Sequence, residues 1–336
     1  MNVARLLRRL LVAVLLAALA AAVVGKWFLE RPLAVPKEPW DFEVKAGASL
    51  SAVARDLAGE GVIAHPLALV ALARWKGVDR AIKAGNYELH SGITLPQLLS
   101  KLTQGDVTQT SLTVVEGATF ADFVKALRDS RDVTKSLVDL PHGELLTKLG
   151  IDAPHPEGQF FPDTYFFAAG ASDMALLTRA HRLLVDRLAA AWDRRAPGVP
   201  LATPYEALIL ASIVEKETGR AADRPLVASV FVNRLRKGMK LQSDPTVIYG
   251  MGAAFDGNLR RRDLDTDTPY NTYTREGLPP TPIALPSQAS LEAVTNPPAT
   301  DYLYFVARGD GSSEFSTNLA DHNRAVARYQ LKKGAR

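Results

Sequence analysis

The chain has 336 residues, 47% of them hydrophobic and 23% charged, which excludes a wholly disordered protein and leaves room for more than one packed domain. The formal net charge of +4 is small, and part of the basic excess sits at the two ends, at Arg5, Arg8, Arg9, Lys332, Lys333 and Arg336. A nucleic-acid binder needs a concentrated basic face, so none is expected here, and the absence of cysteine excludes disulfides, thiolate catalysis and cysteine-held metals.

Leu10 to Gly25 is an unbroken run of apolar or small residues. Leu6 and Leu7 extend it upstream and Trp27, Phe28 and Leu29 downstream, towards the roughly 20 residues a bilayer requires. Lys26 can snorkel and Trp27 suits the interface. The preceding arginines favour the cytoplasmic side, which sends the rest of the chain outward. A cleaved signal peptide is the alternative, with small residues at Ala18–Ala22. The run continues past them through Val23 and Val24, so the expectation is a single-pass anchor over residues 1–31. Pro32, Pro36 and Pro39 then predict a stiff spacer over residues 32–39.

Residues 40–108 read as a small α+β domain. Phe42-Glu-Val44 alternates as a strand, and Gly47 supplies a turn. Ser49 caps a helix whose apolar stripe is Leu50, Val53, Ala54 and Leu57. Pro66–Trp75 predicts a second helix, Gly85–Leu89 a strand and Leu95–Leu102 a third helix. Phe42, Val44, Gly47, Ser49, Leu50, Val53 and Leu57 resemble a LysM-type glycan-binding module; a generic small α+β domain fits the same pattern.

Residues 109–336 predict a larger α+β domain. Thr110–Val115 reads as a strand and Thr119–Leu127 as a helix. Residues 128–155 are polar and broken by Pro141 and Pro154, and residues 128–200 have the character of a helical insertion. Ala175–Trp192 is an amphipathic helix with Leu176, Leu177, Leu183, Leu184 and Leu188 on its apolar side. Thr203-Pro-Tyr-Glu206 is a capping box with proline at the first helical position. The helix it opens runs to Glu217, with Gly219 as a stop. Pro225–Lys237 predicts another helix. From Met239 onward short strands and turns are expected, with a strand at Tyr302–Val306, a turn at Gly309-Asp-Gly311, a partner strand at Glu314–Ser316 and a closing helix over Ala320–Leu331.

The helix ending at Glu217 is apolar nearly all round until its last turn, which suggests a core helix. A carboxylate there follows a buried stretch and sits at the negative end of the helix dipole. Both effects favour the protonated form, as a glycosidase-type acid needs. Glu215 and Glu217 lie about 200° apart around the axis. Periodicity leaves open which one faces the core, and two surface carboxylates flanking Lys216 fit the spacing as well.

Around these residues the pattern becomes specific. Ala211-Ser-Ile-Val-Glu-Lys-Glu-Thr218, Val227-Ala-Ser-Val-Phe-Val-Asn-Arg-Leu235 and Leu241-Gln-Ser-Asp-Pro-Thr-Val-Ile-Tyr-Gly250 resemble the endolytic murein transglycosylase (YceG-like) family. Further matching pieces are Pro156-Glu-Gly-Gln-Phe-Phe-Pro-Asp-Thr-Tyr165, Tyr270-Asn-Thr-Tyr273, Gly277-Leu-Pro-Pro280, Tyr302-Leu-Tyr-Phe-Val306 and Asn318-Leu-Ala-Asp-His-Asn323. The resemblance implies one catalytic glutamate in Glu-Lys-Glu, taken as Glu217 because it directly precedes Thr218, with Glu215 as the alternative or a supporting residue. It also implies an enzyme that cuts peptidoglycan between N-acetylmuramic acid and N-acetylglucosamine of nascent strands, leaves 1,6-anhydro-muramyl ends and terminates glycan elongation. Glycan strands are the implied substrate, peptidoglycan synthases the candidate partners, and the periplasmic side of an inner membrane the implied location. A non-catalytic, membrane-tethered glycan-binding scaffold is the alternative.

Gln242, Ser243, Asp244 and Thr246 form a polar stretch suited to a cleft, although Asp244-Pro245 also suits a turn. Tyr249, Tyr270, Asn271 and Tyr273 offer the flat faces and amides that sugar recognition favours. Glu157 is the best remaining acidic candidate for substrate binding, and Asp163 could equally cap an element. No cofactor or metal is expected: the histidines (His65, His90, His142, His155, His181, His322) are scattered and form no His-Glu-x-x-His. Neither a Gly-x-Ser-x-Gly elbow nor a phosphate loop is present.

Overall fold

The N-terminal apolar run forms helix α1 (Val3–Glu30). Its segment Leu10–Glu30, 21 residues with mean hydropathy 2.3, is long and apolar enough to cross a membrane. The computed structural model describes residues 3–36, 38, 40–45, 47–105 and 109–330. Lys332, Lys333 and Arg336, and Pro39 of the expected spacer, lie outside them. The chain is α+β and divides into two units, residues 1–110 with 166–170 and residues 111–165 with 171–336.

In the first unit, β1 (Trp40–Val44) is followed by α2 (Leu50–Gly59), α3 (Pro66–Trp75), β2 (Gly85–Leu89) and α4 (Leu95–Gln104). β1 and β2 pair antiparallel, Trp40 opposite Leu89 and Val44 opposite Gly85. Trp40, Phe42 and Val44 alternate into the core, as a half-buried strand requires. They meet Leu50, Val53, Ala54 and Leu57 of α2 there. Ser49 caps α2 by accepting from Ala52 N at 3.2 Å. The segment after α1 is bonded to this unit: Leu33 N donates to Ile93 O at 2.8 Å, Pro32 bridges Thr94, and Leu29, Leu33 and Val35 pack on the core.

The chain continues through β3 (Gln109–Thr113), α5 (Phe120–Asp129), β4 (Val133–Thr134), α6 (His142–Leu149), β5 (Thr164–Ala168), β6 (Ala171–Ser172) and α7 (Asp173–Asp193). Then come α8 (Pro204–Glu217), α9 (Arg224–Arg236), α10 (Asp244–Met251), α11 (Arg261–Asp265), α12 (Gln288–Thr295), β7 (Tyr304–Ala307), β8 (Ser313–Ser316) and α13 (Leu319–Tyr329). β3 pairs with β5, β4 with β6 and β7 with β8. The broken region before α7 is pinned by the buried Asp173 carboxylate, which accepts from the backbone of Ser136, Leu137 and Val138 at 2.7–3.0 Å. Helix α8 is the centre of this unit. Ala207 to Val214 are all buried, and α7, α9, α10 and α12 pack around it. Thr203 Oγ1 accepts from Glu206 N at 3.2 Å, whereas the Glu206 carboxylate takes Ala202 N rather than closing the box on Thr203.

The expectation of strands and turns after Met239 is corrected by α10, α11 and α12. Asp244-Pro245 is not a turn: it is the first turn of α10, where the missing proline N–H costs nothing and its fixed φ already suits the helix.

The Pro156-Glu-Gly158 turn is set by packing. Gly158 has φ +77, and a Cβ there would meet Pro282 at 2.5 Å. Glu157 beside it is 3% exposed. Its carboxylate accepts from Phe120 N at 2.9 Å and from Tyr249 Oη at 3.2 Å, tying the start of α5 to α10. Burial pushes this carboxyl up to about 7 against those bonds.

Gly158→Ala is expected to destabilise the fold by about 1–3 kcal/mol, measured as a lower melting temperature. The raised carboxyl gives a second expectation. Glu157 supports the fold fully below about pH 4.5, its ordinary value, and this support drains away as pH rises towards about 7, its value in the fold. The loss is about 3 kcal/mol at most. Melting temperatures of Glu157→Gln should therefore fall less steeply across that window than those of the parent; an identical slope would count against a buried, protonated Glu157.

Candidate active site

Helix α8 carries both candidate carboxylates in its last turn and treats them differently. Glu215, its side chain 6% exposed, faces α12 and the start of α9. Its Oε2 accepts from Ser287 N at 2.9 Å, Ser287 Oγ at 2.5 Å and Ser290 Oγ at 2.6 Å. Arg224 lies 3.6 Å from its other oxygen. These partners occupy Oε2 and set a positive charge beside Oε1, so the carboxylate holds helix ends together.

Glu217 is the last helical residue and is half-buried. Ser243 Oγ donates to its Oε1 at 2.5 Å. Burial pushes the Glu217 carboxyl up to about 7. The Ser243 bond works against this rise, the Asp244 charge adds to it, and the Arg234 charge opposes it. The result is a carboxyl that can give and take a proton near neutrality.

A cleft of about 580 Å³ opens beside Glu217. One wall is β7, with Tyr304, Phe305, Val306 and Ala307. Another is one face of α13, where Leu319, His322, Asn323 and Val326 recur at helical spacing. Arg234, Gln242, Asp244 and Tyr273 also line it. Arg234 is buried in α9 and held by backbone: Nε donates to Leu303 O at 2.7 Å and Nη1 to Leu241 O at 2.8 Å. Its guanidinium lies over the Tyr304 ring at 5.1 Å, and His322 stacks on that ring at 5.2 Å. Burial lowers the His322 imidazole, and its buried Nδ1 has no hydrogen-bond partner among the described residues.

The residues expected from sequence divide in two. Gln242, Asp244 and Tyr273 line the cleft. Gln242 holds φ +53, the one positive φ outside glycine among the described residues, with Oε1 taking Arg234 Nη1 at 3.3 Å. Such a backbone costs of order 1–3 kcal/mol and persists only where its surroundings enforce it. Here Gln242 N donates to Thr272 O at 3.1 Å and Ser243 N to Thr272 Oγ1 at 3.0 Å. Tyr273 Oη donates to Asp244 Oδ1 at 2.5 Å. The others are not among the cleft's lining residues. Ser243 is fully buried and reaches the site through Glu217. Thr246 is bonded to Ser243 O at 2.7 Å and Thr272 Oγ1 at 2.9 Å. Asn271 Nδ2 holds the carbonyls of Leu264 and Thr266 at 3.0 and 2.7 Å. Tyr270 bonds Thr281 and packs on Tyr249, which bonds Glu157. Arg234, Tyr304, His322 and Asn323 were not expected as site residues. An arginine near a helix C-terminus reads locally as a dipole partner, and only the later strand and helix show that it borders a cleft.

Comparison with known proteins gives the family. A model of the YceG-like family matches residues 42–328. The endolytic murein transglycosylase of Bacillus subtilis is 33% identical over 326 residues, covering 92% of this chain and 90% of that relative. The endolytic murein transglycosylase of Streptococcus pneumoniae is 28% identical over 333 residues, covering 85% of this chain and 57% of that longer relative. A solved structure of a YceG-like protein from Listeria monocytogenes is similar with a TM-score of 0.51 and 30% identity, over 86% of this chain and 99% of that one. With its helical core, its cleft and matches over nearly its whole length, the chain belongs to the YceG-like family.

Proposed function

We propose that this protein is a lytic transglycosylase that cuts peptidoglycan strands internally, with Glu217 as both acid and base. The observation that carries this is the contrast between two glutamates two residues apart. Glu215 is spent on Ser287, Ser290 and Arg224, while Glu217 borders the cleft with a carboxyl held near 7. The B. subtilis and S. pneumoniae relatives are named for the same activity.

In this mechanism protonated Glu217 gives its proton to the bridging oxygen as the bond from muramyl C1 breaks. The N-acetylglucosamine leaves with a hydroxyl. The muramyl C6 oxygen closes on C1, and Glu217, now ionised, takes its proton. One C–O bond replaces another within the sugar, no water is consumed, and the carboxyl returns to its starting state. The nucleophile belongs to the substrate, so a second carboxylate is not obligatory, unlike in ordinary glycoside hydrolysis. Ser243, bonded to Oε1, orients the carboxyl and leaves Oε2 for the substrate.

Two further elements complete the reading. The order β1, α2, α3, β2 with an antiparallel pair supports a LysM-like glycan-binding module over residues 40–108, followed by a catalytic domain over residues 109–336. The apolar α1 supports a single-pass anchor, and Arg5, Arg8 and Arg9 before it favour the periplasmic side for the rest of the chain. Anchored this way, the enzyme would cut new strands near the membrane and end their elongation. Glycan strands in a deletion strain should be longer; unchanged lengths would count against that role.

Detergent-solubilised full-length protein and purified strands test the chemistry. Anhydro-muramyl ends, read by mass spectrometry, should fall by roughly 10²–10⁴-fold in Glu217→Gln. Glu215→Gln should chiefly lower the melting temperature. Absence of any cleavage by the parent would favour a glycan-binding scaffold. The pH profile adds a sign. The first step needs protonated Glu217, so activity should fall as pH rises through about 7. The Ser243 bond lowers that value, so Ser243→Ala should shift the alkaline limb upward while reducing the maximal rate.

A further inference from the structure

Gln242 and Tyr273 line the cleft beside Glu217. Both residues also line a second hollow, of about 450 Å³, together with Lys240, Arg261, Leu264, Asp265 and Thr274. Its charge differs from that of the catalytic end. Arg261 Nε pairs with Asp265 at 3.1 Å, which accounts for the hollow's one carboxylate. Lys240 is half-buried, and its ammonium has no ion-pair partner among the described residues. Two cations against one carboxylate leave the hollow net positive. On the catalytic side, Asp244 accepts from the Tyr273 hydroxyl.

Both cations stand on braced backbone. Lys240 O accepts from Arg234 Nη1 at 3.2 Å. Asn271 Nδ2 bonds the carbonyls of Asp263, Leu264 and Thr266 and so holds α11, which carries Arg261. An unpaired lysine beside an exposed arginine–aspartate pair, next to a sugar cleft, suits an anion on the sugar.

A glycan strand presents mostly neutral hydroxyl and acetamido groups. Its anions lie on one arm, the lactyl ether of each muramyl residue. That arm ends in its own carboxylate or, where a stem peptide is attached, in the peptide's carboxylates. We propose that the hollow formed by Lys240 and Arg261 is a subsite for this carboxylate-bearing arm, placed so that a strand lying against Glu217 sets a muramyl side arm past Gln242 and Tyr273. The proposal rests on the transglycosylase reading and adds to it a determinant of which residue along the strand is presented for cutting.

Binding tests it apart from turnover. Full-length Glu217→Gln protein in detergent is titrated with three fluorescent muramyl strands: one with free lactyl carboxylates, one with those carboxyls converted to methylamides, and one bearing stem peptides. The free-carboxylate or the peptide-bearing strand should bind roughly three- to tenfold more tightly than the methylamide strand at low salt, and the tighter of the two identifies the anion. Adding Lys240→Ala and Arg261→Ala together should collapse that preference towards unity. A preference that survives the double substitution, or none at the outset, overturns the subsite. Turnover by the otherwise native enzyme separates the two ideas: preference without cleavage leaves the subsite and removes the transglycosylase, whereas cleavage without preference does the reverse.

Discussion

Helix α8 is apolar on every side from Ala207 to Val214, and burying it is the constraint on which the rest of the second unit depends. A helix with no polar stripe must be surrounded. Four neighbouring helices, α7, α9, α10 and α12, do this. The price of so dry an environment appears at its C-terminal turn, where the chain must emerge with Glu215, Lys216 and Glu217 in quick succession. The fold resolves the turn by giving each group a different surrounding. Glu215 receives three donors on one oxygen and the Arg224 charge beside the other, Lys216 reaches Gly117 O at 3.1 Å, and Glu217 is left with one bond from Ser243 and an open side towards the cleft.

A second layer keeps that open side in shape. Residues 242–246 are laced to residues 270–274 through Thr272, whose carbonyl and hydroxyl meet Gln242, Ser243 and Thr246. Asn271 extends the lacing to α11. Thr272, Thr246 and Asn271 are buried, and this lacing enforces the strained Gln242 backbone and sets the serine bonded to Glu217. Arg234 plays the same part from the other side, its guanidinium tying α9 to the chain before β7 and to Leu241.

Much of this was legible in the sequence where the signal is local. The start of α8 follows from Thr203 and Pro204, and the strands and helices of the first unit follow from alternation and capping at Phe42, Ser49 and Pro66. What was not legible depends on distant partners. Periodicity could not choose between Glu215 and Glu217, because the choice is made by Ser287 and Ser290, some seventy residues downstream. Asp244-Pro245 has two local meanings, turn and helix start, and packing of α10 against α8 selects the second. Thr246 reads as a cleft residue from its polar stretch and Asn271 from its amide; in the fold both are buried and bond the backbone of neighbouring segments.

The junction after α1 has a geometric consequence. Leu29 and Leu33 belong to the packing of the first unit, and Leu33 and Pro32 are joined to the segment at Ile93 and Thr94. The apolar helix therefore meets this unit without a slack tether. With α1 in a bilayer, the first unit would be confined to a thin shell at the surface instead of exploring the volume a flexible leash allows. Confinement of that kind raises the local concentration of whatever polymer lies in the same shell, so a weak glycan contact would suffice to hold a strand near the membrane, and an equal contact deeper in the wall would go unused.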